Sequence, residues 1–102
     1  MNAATIIEDP ERYVAQRKKF MSALYILWGT VIGEHQPSEE NFYQWLDSFG
    51  VQTVADAIQR TSKKARQRAR QQDPMDPKDL EKYCTATARN MRNSKTEKRI
   101  FV

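Results

Sequence analysis

The stretch Ile58-Gln59-Arg60-Thr61-Ser62-Lys63-Lys64-Ala65-Arg66-Gln67-Arg68-Ala69-Arg70 constrains the chain most. Six of its thirteen residues are Lys or Arg, and none is Gly, Pro, Asp or Glu. With no breaker in it, the run reads as helix. At about 100° per residue, Ile58, Thr61, Ser62, Ala65 and Ala69 fall on one narrow side. Arg60, Lys63, Lys64, Arg66, Arg68 and Arg70 spread over the remaining arc of roughly 200°. The small residues let a neighbouring helix come close, and the long cations are expected to point away from it. A basic run is often only a solvated face. Solvated helices, however, usually place Glu four residues before Lys, and this one has no acid at all. Uncompensated positive charge points to a polyanion.

The charge is distributed unevenly along the chain. Residues 1–59 carry 4 basic and 8 acidic side chains, whereas residues 60–102 carry 13 basic and 5 acidic. A basic half on a folded domain favours nucleic-acid contact, and an acidic half leaves room for a protein partner. The length of 102 residues suits one domain. Only 39% of residues are apolar, but the ten aromatics supply large apolar area per residue, so a core is still expected.

Taken in order, residues 1–8 read as a loose arm that Ile6 and Ile7 could pin down. Asp9-Pro10 starts a helix as cap and first-turn proline. Tyr13, Val14, Phe20, Met21, Leu24, Leu27, Trp28 and Val31 then recur at three- and four-residue steps. Tyr25, Ile26 and Ile32 widen that apolar face, which makes a homodimer an expectation. Gly29 suggests a close helix crossing, and Gly33 ends the helix. Ser38 caps a second helix with the stripe Phe42, Trp45, Leu46 and Phe49, and Gly50 is expected to stop it in a left-handed conformation. Thr53, with Asp56, is expected to cap the third helix. Asp73-Pro74-Met75-Asp76-Pro77 is a loop, and Asp76 caps a fourth helix with Leu80, Tyr83, Cys84, Thr87, Ala88 and Met91 on one face. Beyond Asn93 the apolar period is lost, so residues 94–102 read as a basic tail. The expected fold is all-α: a compact bundle of four main helices over residues 9–93.

From Pro37 the run PSEENFYQWLDSFGVQTVADAI resembles DnaD-type domains of bacterial and phage replication-initiation and primosomal proteins. The shared pattern is an acid-rich helix start, a Trp-Leu pair at Trp45-Leu46, a Phe-Gly break at Phe49-Gly50, then a helix containing Ala57-Ile58. The last helix of that family carries a Tyr, an aliphatic residue four later and a Trp four after that. Here the positions hold Tyr83, Thr87 and Met91, so only the first matches. The resemblance spans roughly residues 20–93. It implies a helical domain that binds DNA, often single-stranded, and acts on replication machinery in a phage or mobile element.

Chemistry-bearing residues are few. One cysteine, Cys84, and one histidine, His35, lie in different elements. The paired carboxylates all sit at helix starts, where capping accounts for them. Without a nucleophile, base and orienter together, no enzyme is expected, and no cofactor or metal either. No secretory signal or membrane-spanning run is visible, which with a single cysteine suggests the cytoplasm. The aromatic stripe reads as core, whereas Tyr43 falls off it and is expected to be open to a partner, as are Ile100 and Phe101.

Nucleic acid is therefore expected on Arg60, Lys63, Lys64, Arg66, Arg68 and Arg70, extended by Lys82, Arg89 and Arg92 and then Lys95, Lys98 and Arg99. Binding should be salt-sensitive and largely indifferent to sequence. Replacing Arg66, Arg68 and Arg70 with Ala should abolish it and leave thermal stability nearly unchanged. The rival is a helical adaptor or inhibitor docking on a host nucleic-acid-binding machine through an apolar or acidic patch.

Overall fold

The computed structural model describes residues 10–33 and 35–101, with side chains at 12–33 and 35–93. Four helices follow one another: α1 (Pro10–Val31), α2 (Glu39–Phe49), α3 (Val51–Arg70) and α4 (Pro77–Phe101). The described residues form an all-α bundle, as the sequence predicts. The N-terminal arm with its Ile6 and Ile7, the Asp9 cap and the side chains of Ile100 and Phe101 lie outside the described residues.

The core forms where the four periodic stripes meet. Trp28 and Phe42 are fully buried, and Trp28 stacks on Trp45 with ring centroids 5.9 Å apart. Phe42 meets both indoles edge-on, at 6.2 Å from Trp28 and 5.6 Å from Trp45. Such pairs add about 0.5–1.5 kcal/mol beyond area burial. These aromatics are core, as their spacing requires. The Trp45 indole N–H donates to Thr85 Oγ1 at 2.9 Å, which ties α2 to α4 and satisfies the one polar atom of that ring.

The α3 face packs as read: Ile58, Thr61 and Ser62 are buried and Ala65 is half-buried. Ala69, expected on the same side, is exposed, because only the loop follows it. Opposite lie Leu80, Cys84 and Ala88 of α4, all nearly inaccessible. Thr61 resolves its hydroxyl locally by donating to the Ala57 carbonyl at 2.7 Å.

Several boundaries differ from expectation. Gly50 has φ 85° and ψ 157°, so it is not a left-handed helical cap but an extended mirror-image conformation open essentially to glycine. That single residue ends α2 and starts α3: its N–H donates to the Leu46 carbonyl and its own carbonyl accepts from Val54 N–H. With the start fixed by backbone, Thr53 is not the cap. It is buried inside the first turn, and Asp56 accepts from Gln52 instead. Gly29 does not mark a helix crossing; the close neighbour is the Gln36 side chain, which donates to the Tyr25 carbonyl at 2.9 Å. Finally, α4 runs to Phe101 rather than ending at Asn93. Loss of apolar period removes packing but not helix propensity, and no Gly or Pro follows Pro77.

Other ends match. Ser38 Oγ accepts from Asn41 N–H at 3.2 Å. Asp76 and Asp79 form a reciprocal box at the start of α4, with Asp79 N–H donating to Asp76 Oδ1 at 2.8 Å. No described helix is long and apolar enough to cross a membrane.

Candidate nucleic-acid interface

The cations of α3 separate into those the fold uses and those it leaves outward. Lys63, Arg66, Gln67 and Arg70 line one shallow cleft of about 380 Å³. They stand at i, i+3, i+4 and i+7 of a helix, so three cations follow one face at a pitch near 5.4 Å. All four are exposed, and no carboxylate lines the cleft. Lys63 and Arg70 make no hydrogen bond or ion pair among the described residues. Arg66 is held in place: its Nη2 donates to Ser62 Oγ at 2.8 Å, and Ser62 in turn donates to the Val31 carbonyl at the end of α1. One guanidinium donor is used in this way, and the others of the planar fork remain for an anion. Gln67, which sequence reasoning passed over, sits between them. Its spacing of four from Lys63 was the available signal.

Arg68 belongs to the fold instead. Its Nε donates to the Asp73 carbonyl and its Nη2 to Asp73 Oδ2, both at 3.0 Å, closing the loop after α3. Replacing Arg66, Arg68 and Arg70 together is therefore not structurally silent, because it removes the Asp73 clasp and the Ser62 anchor. Arg60 and Lys64 lie on the other flank of α3, exposed and half-buried respectively, outside the cleft.

On α4, Lys82 and Arg89 are exposed. Arg92 is exposed as well, but its Nη1 donates to the Ser48 carbonyl in the last turn of α2. A cation is favoured there, because terminal carbonyls lack intrahelical donors. Lys82, Arg89 and Arg92 do not line the α3 cleft. The side chains of Lys95, Lys98 and Arg99 lie outside the described residues.

The basic run Arg17-Lys18-Lys19 on α1 also divides. Arg17 forks onto Asp47, Nε to Oδ1 at 3.0 Å and Nη2 to Oδ2 at 2.6 Å, and lies 4.2 Å over the Tyr43 ring. The hydrogen bond to Arg17 holds the Asp47 carboxyl below its ordinary range, and the same bond raises the Arg17 pKa. Tyr43, expected to be exposed, is thus half-buried with a guanidinium over its ring. Lys18 and Lys19 remain exposed.

Cys84 sits in the core, where burial pushes its thiol up to about 12 although its hydrogen bond with the Thr61 hydroxyl pulls the other way. A thiol so placed is a poor nucleophile at neutral pH. His35 lies in the α1–α2 loop at φ 55°. Among the described residues, no cluster of three or more His, Cys, Asp or Glu is arranged to hold a metal ion.

The chain matches no protein-family model, no curated protein and no solved structure. The likeness to DnaD-type domains rests on the residues quoted for it.

Proposed function

We propose that this protein binds nucleic acid without catalysis, holding the phosphate backbone on the Lys63–Arg66–Gln67–Arg70 stripe of α3 with little regard to base sequence. The observation that carries this reading is the cleft itself: three outward cations on successive turns, with no acidic neighbour in the lining. Cations on one straight face suit a repeating anion better than a single small one. Nothing in the stripe is arranged as a base-reading recognition helix, so contacts to phosphate and sugar dominate. The DnaD-like run from Pro37 to Ile58 adds a cellular setting to the same proposal: DNA transactions, such as replication, of a phage or mobile element, in the cytoplasm.

The test is fluorescence anisotropy with labelled single- and double-stranded DNA across a salt series, on the wild type and on Lys63→Ala/Arg70→Ala. Expected is binding that weakens steeply with salt and is largely lost in the double variant, whose melting temperature stays unchanged. Absence of binding at low salt would overturn the reading. The stripe would then be a solvated or protein-docking face, in line with the adaptor alternative.

A further inference from the structure

Helix α1 buries Met21, Leu24 and Trp28 on one side and turns Arg12, Gln16 and Lys19 to solvent, yet the flank between the two keeps exposed apolar residues. Val14 is 62% exposed, Ile26 66% and Tyr25 40%. Scattered exposed apolar residues are normal, but these follow one helix face. Tyr25 and Ile26 also join Met21 and Ser22 in an open cleft of about 260 Å³, with Glu39 on its rim. Glu39 and the exposed Lys18 make no ion pair with any described residue.

The spacing of these groups about Ser22 is symmetric. Lys18 lies four residues before Ser22 and Ile26 four after, about 6 Å of helix rise in each direction. Val14 and Ala15 stand in the turn before Lys18, and Gly29 and Thr30 in the turn after Ile26. A two-fold axis through Ser22 exchanges the two halves. It lays Lys18 over the partner's Ile26 and the partner's Glu39, and the small Ala15 and Ser22 let the axes approach to about 8–10 Å.

From this we infer that the outward face of α1 is a self-association surface, on which a second copy of the chain packs its own α1 antiparallel about Ser22. A parallel pair would instead set Lys18 beside Lys18 and Glu39 beside Glu39, which like-charge repulsion disfavours. The antiparallel pair is isologous and closed, so it stops at a dimer. One helix face per copy makes an interface at the small end of specific contacts, under about 1,200 Å² in total, so a reversible dimer in the micromolar range is expected. The inference stands apart from the nucleic-acid reading, since none of its residues belongs to the α3 stripe.

Sedimentation equilibrium of the full chain over a concentration series, reaching on the order of 100 µM, tests it. The expected mass rises from the 11.9 kDa of one chain toward twice that value. Ile26→Lys, at an exposed position that leaves the core intact, should raise the dissociation constant at least about tenfold, the equivalent of about 1.4 kcal/mol. Lys18→Glu and Glu39→Lys should each weaken the dimer, and the two together should restore it. Near-ultraviolet circular dichroism from the stacked Trp28 and Trp45 verifies that each variant is folded. A monomer at every concentration would overturn the inference, as would a double charge reversal no better than either single one.

Discussion

The Ser62 hydroxyl donates to the Val31 carbonyl at 2.8 Å, joining the middle of α3 to the last residue of α1. That carbonyl is one of the group that a helix end leaves without an intrahelical donor. Ser62 is 1% exposed and Val31 half-buried, so removing the hydroxyl leaves that carbonyl with restricted access to water. The same oxygen accepts from Arg66, so one buried serine serves both the packing of α1 and the position of a cation.

Ser62→Ala should therefore destabilise the fold by about 1–3 kcal/mol, the penalty for stranding a buried acceptor. For a domain of this size each 1 kcal/mol corresponds to roughly 4–8 °C in melting temperature, readable by thermal circular dichroism. The loss of DNA affinity should be smaller than that caused by Arg66→Ala, because the guanidinium is loosened and not removed.

Cations that look alike in sequence should behave differently. Lys63→Ala and Arg70→Ala each remove an outward charge, so each should lower the slope of log affinity against log salt by about 0.9 on duplex DNA. Their effect on stability should stay within about 0.5 kcal/mol. Arg68→Ala should do the reverse, leaving the slope unchanged and lowering stability by up to about 1 kcal/mol as the Asp73 clasp opens. Salt titrations alongside urea unfolding of the three variants separate the two behaviours.

Gly50, between α2 and α3, and Gly29, inside α1, make a contrasting pair. Gly50 holds φ 85° with ψ 157°, which a side chain strains, so Gly50→Ala should lose about 1–3 kcal/mol although its Cβ would meet nothing within 4 Å. Gly29 is helical, and an added Cβ would stand 2.9 Å from Gln36 Nε2, the free end of a flexible side chain. Displacing that amide forfeits its bond to the Tyr25 carbonyl, but alanine gains helix propensity, so Gly29→Ala should change stability by less than about 1 kcal/mol. Chemical denaturation of both variants decides it, and a strongly destabilised Gly29→Ala would contradict the geometry.

What the sequence carried, it carried through local signals. Ser38, Gly33 and the Asp76-Pro77 pair mark helix ends by side-chain or backbone chemistry within a few residues, and the structure keeps them. The stripe of Phe42, Trp45 and Leu46 becomes core because helical spacing decides which face turns inward. The fate of single polar side chains was not legible, because it depends on what lies across the fold. Tyr43 is covered by an arginine from α1, Arg92 reaches α2, and Arg68 finds Asp73 only once the loop turns back. Thr53 misled for a related reason: the capping pattern was present, but Gly50 had already set the start of α3 through its backbone.

Cys84 supplies a pH signature of the core. Burial drives its thiol up to about 12, whereas in the unfolded chain it ionises near 8.5. A pKa raised by folding means stability that is complete below the unfolded value and falls as pH climbs from about 8.5 toward the folded value. The slope is at most about 1.4 kcal/mol per pH unit, so about 2 kcal/mol should be lost to this thiol by pH 10. In Cys84→Ala a cavity penalty lowers stability at every pH, but this alkaline loss disappears. The gap between wild type and variant in urea unfolding should thus be widest near pH 7 and narrow by pH 10. Iodoacetamide at pH 8 should leave the folded protein unmodified and alkylate it once urea opens the core. Rapid alkylation of the native state, or a gap that stays constant with pH, would show that Cys84 reaches solvent.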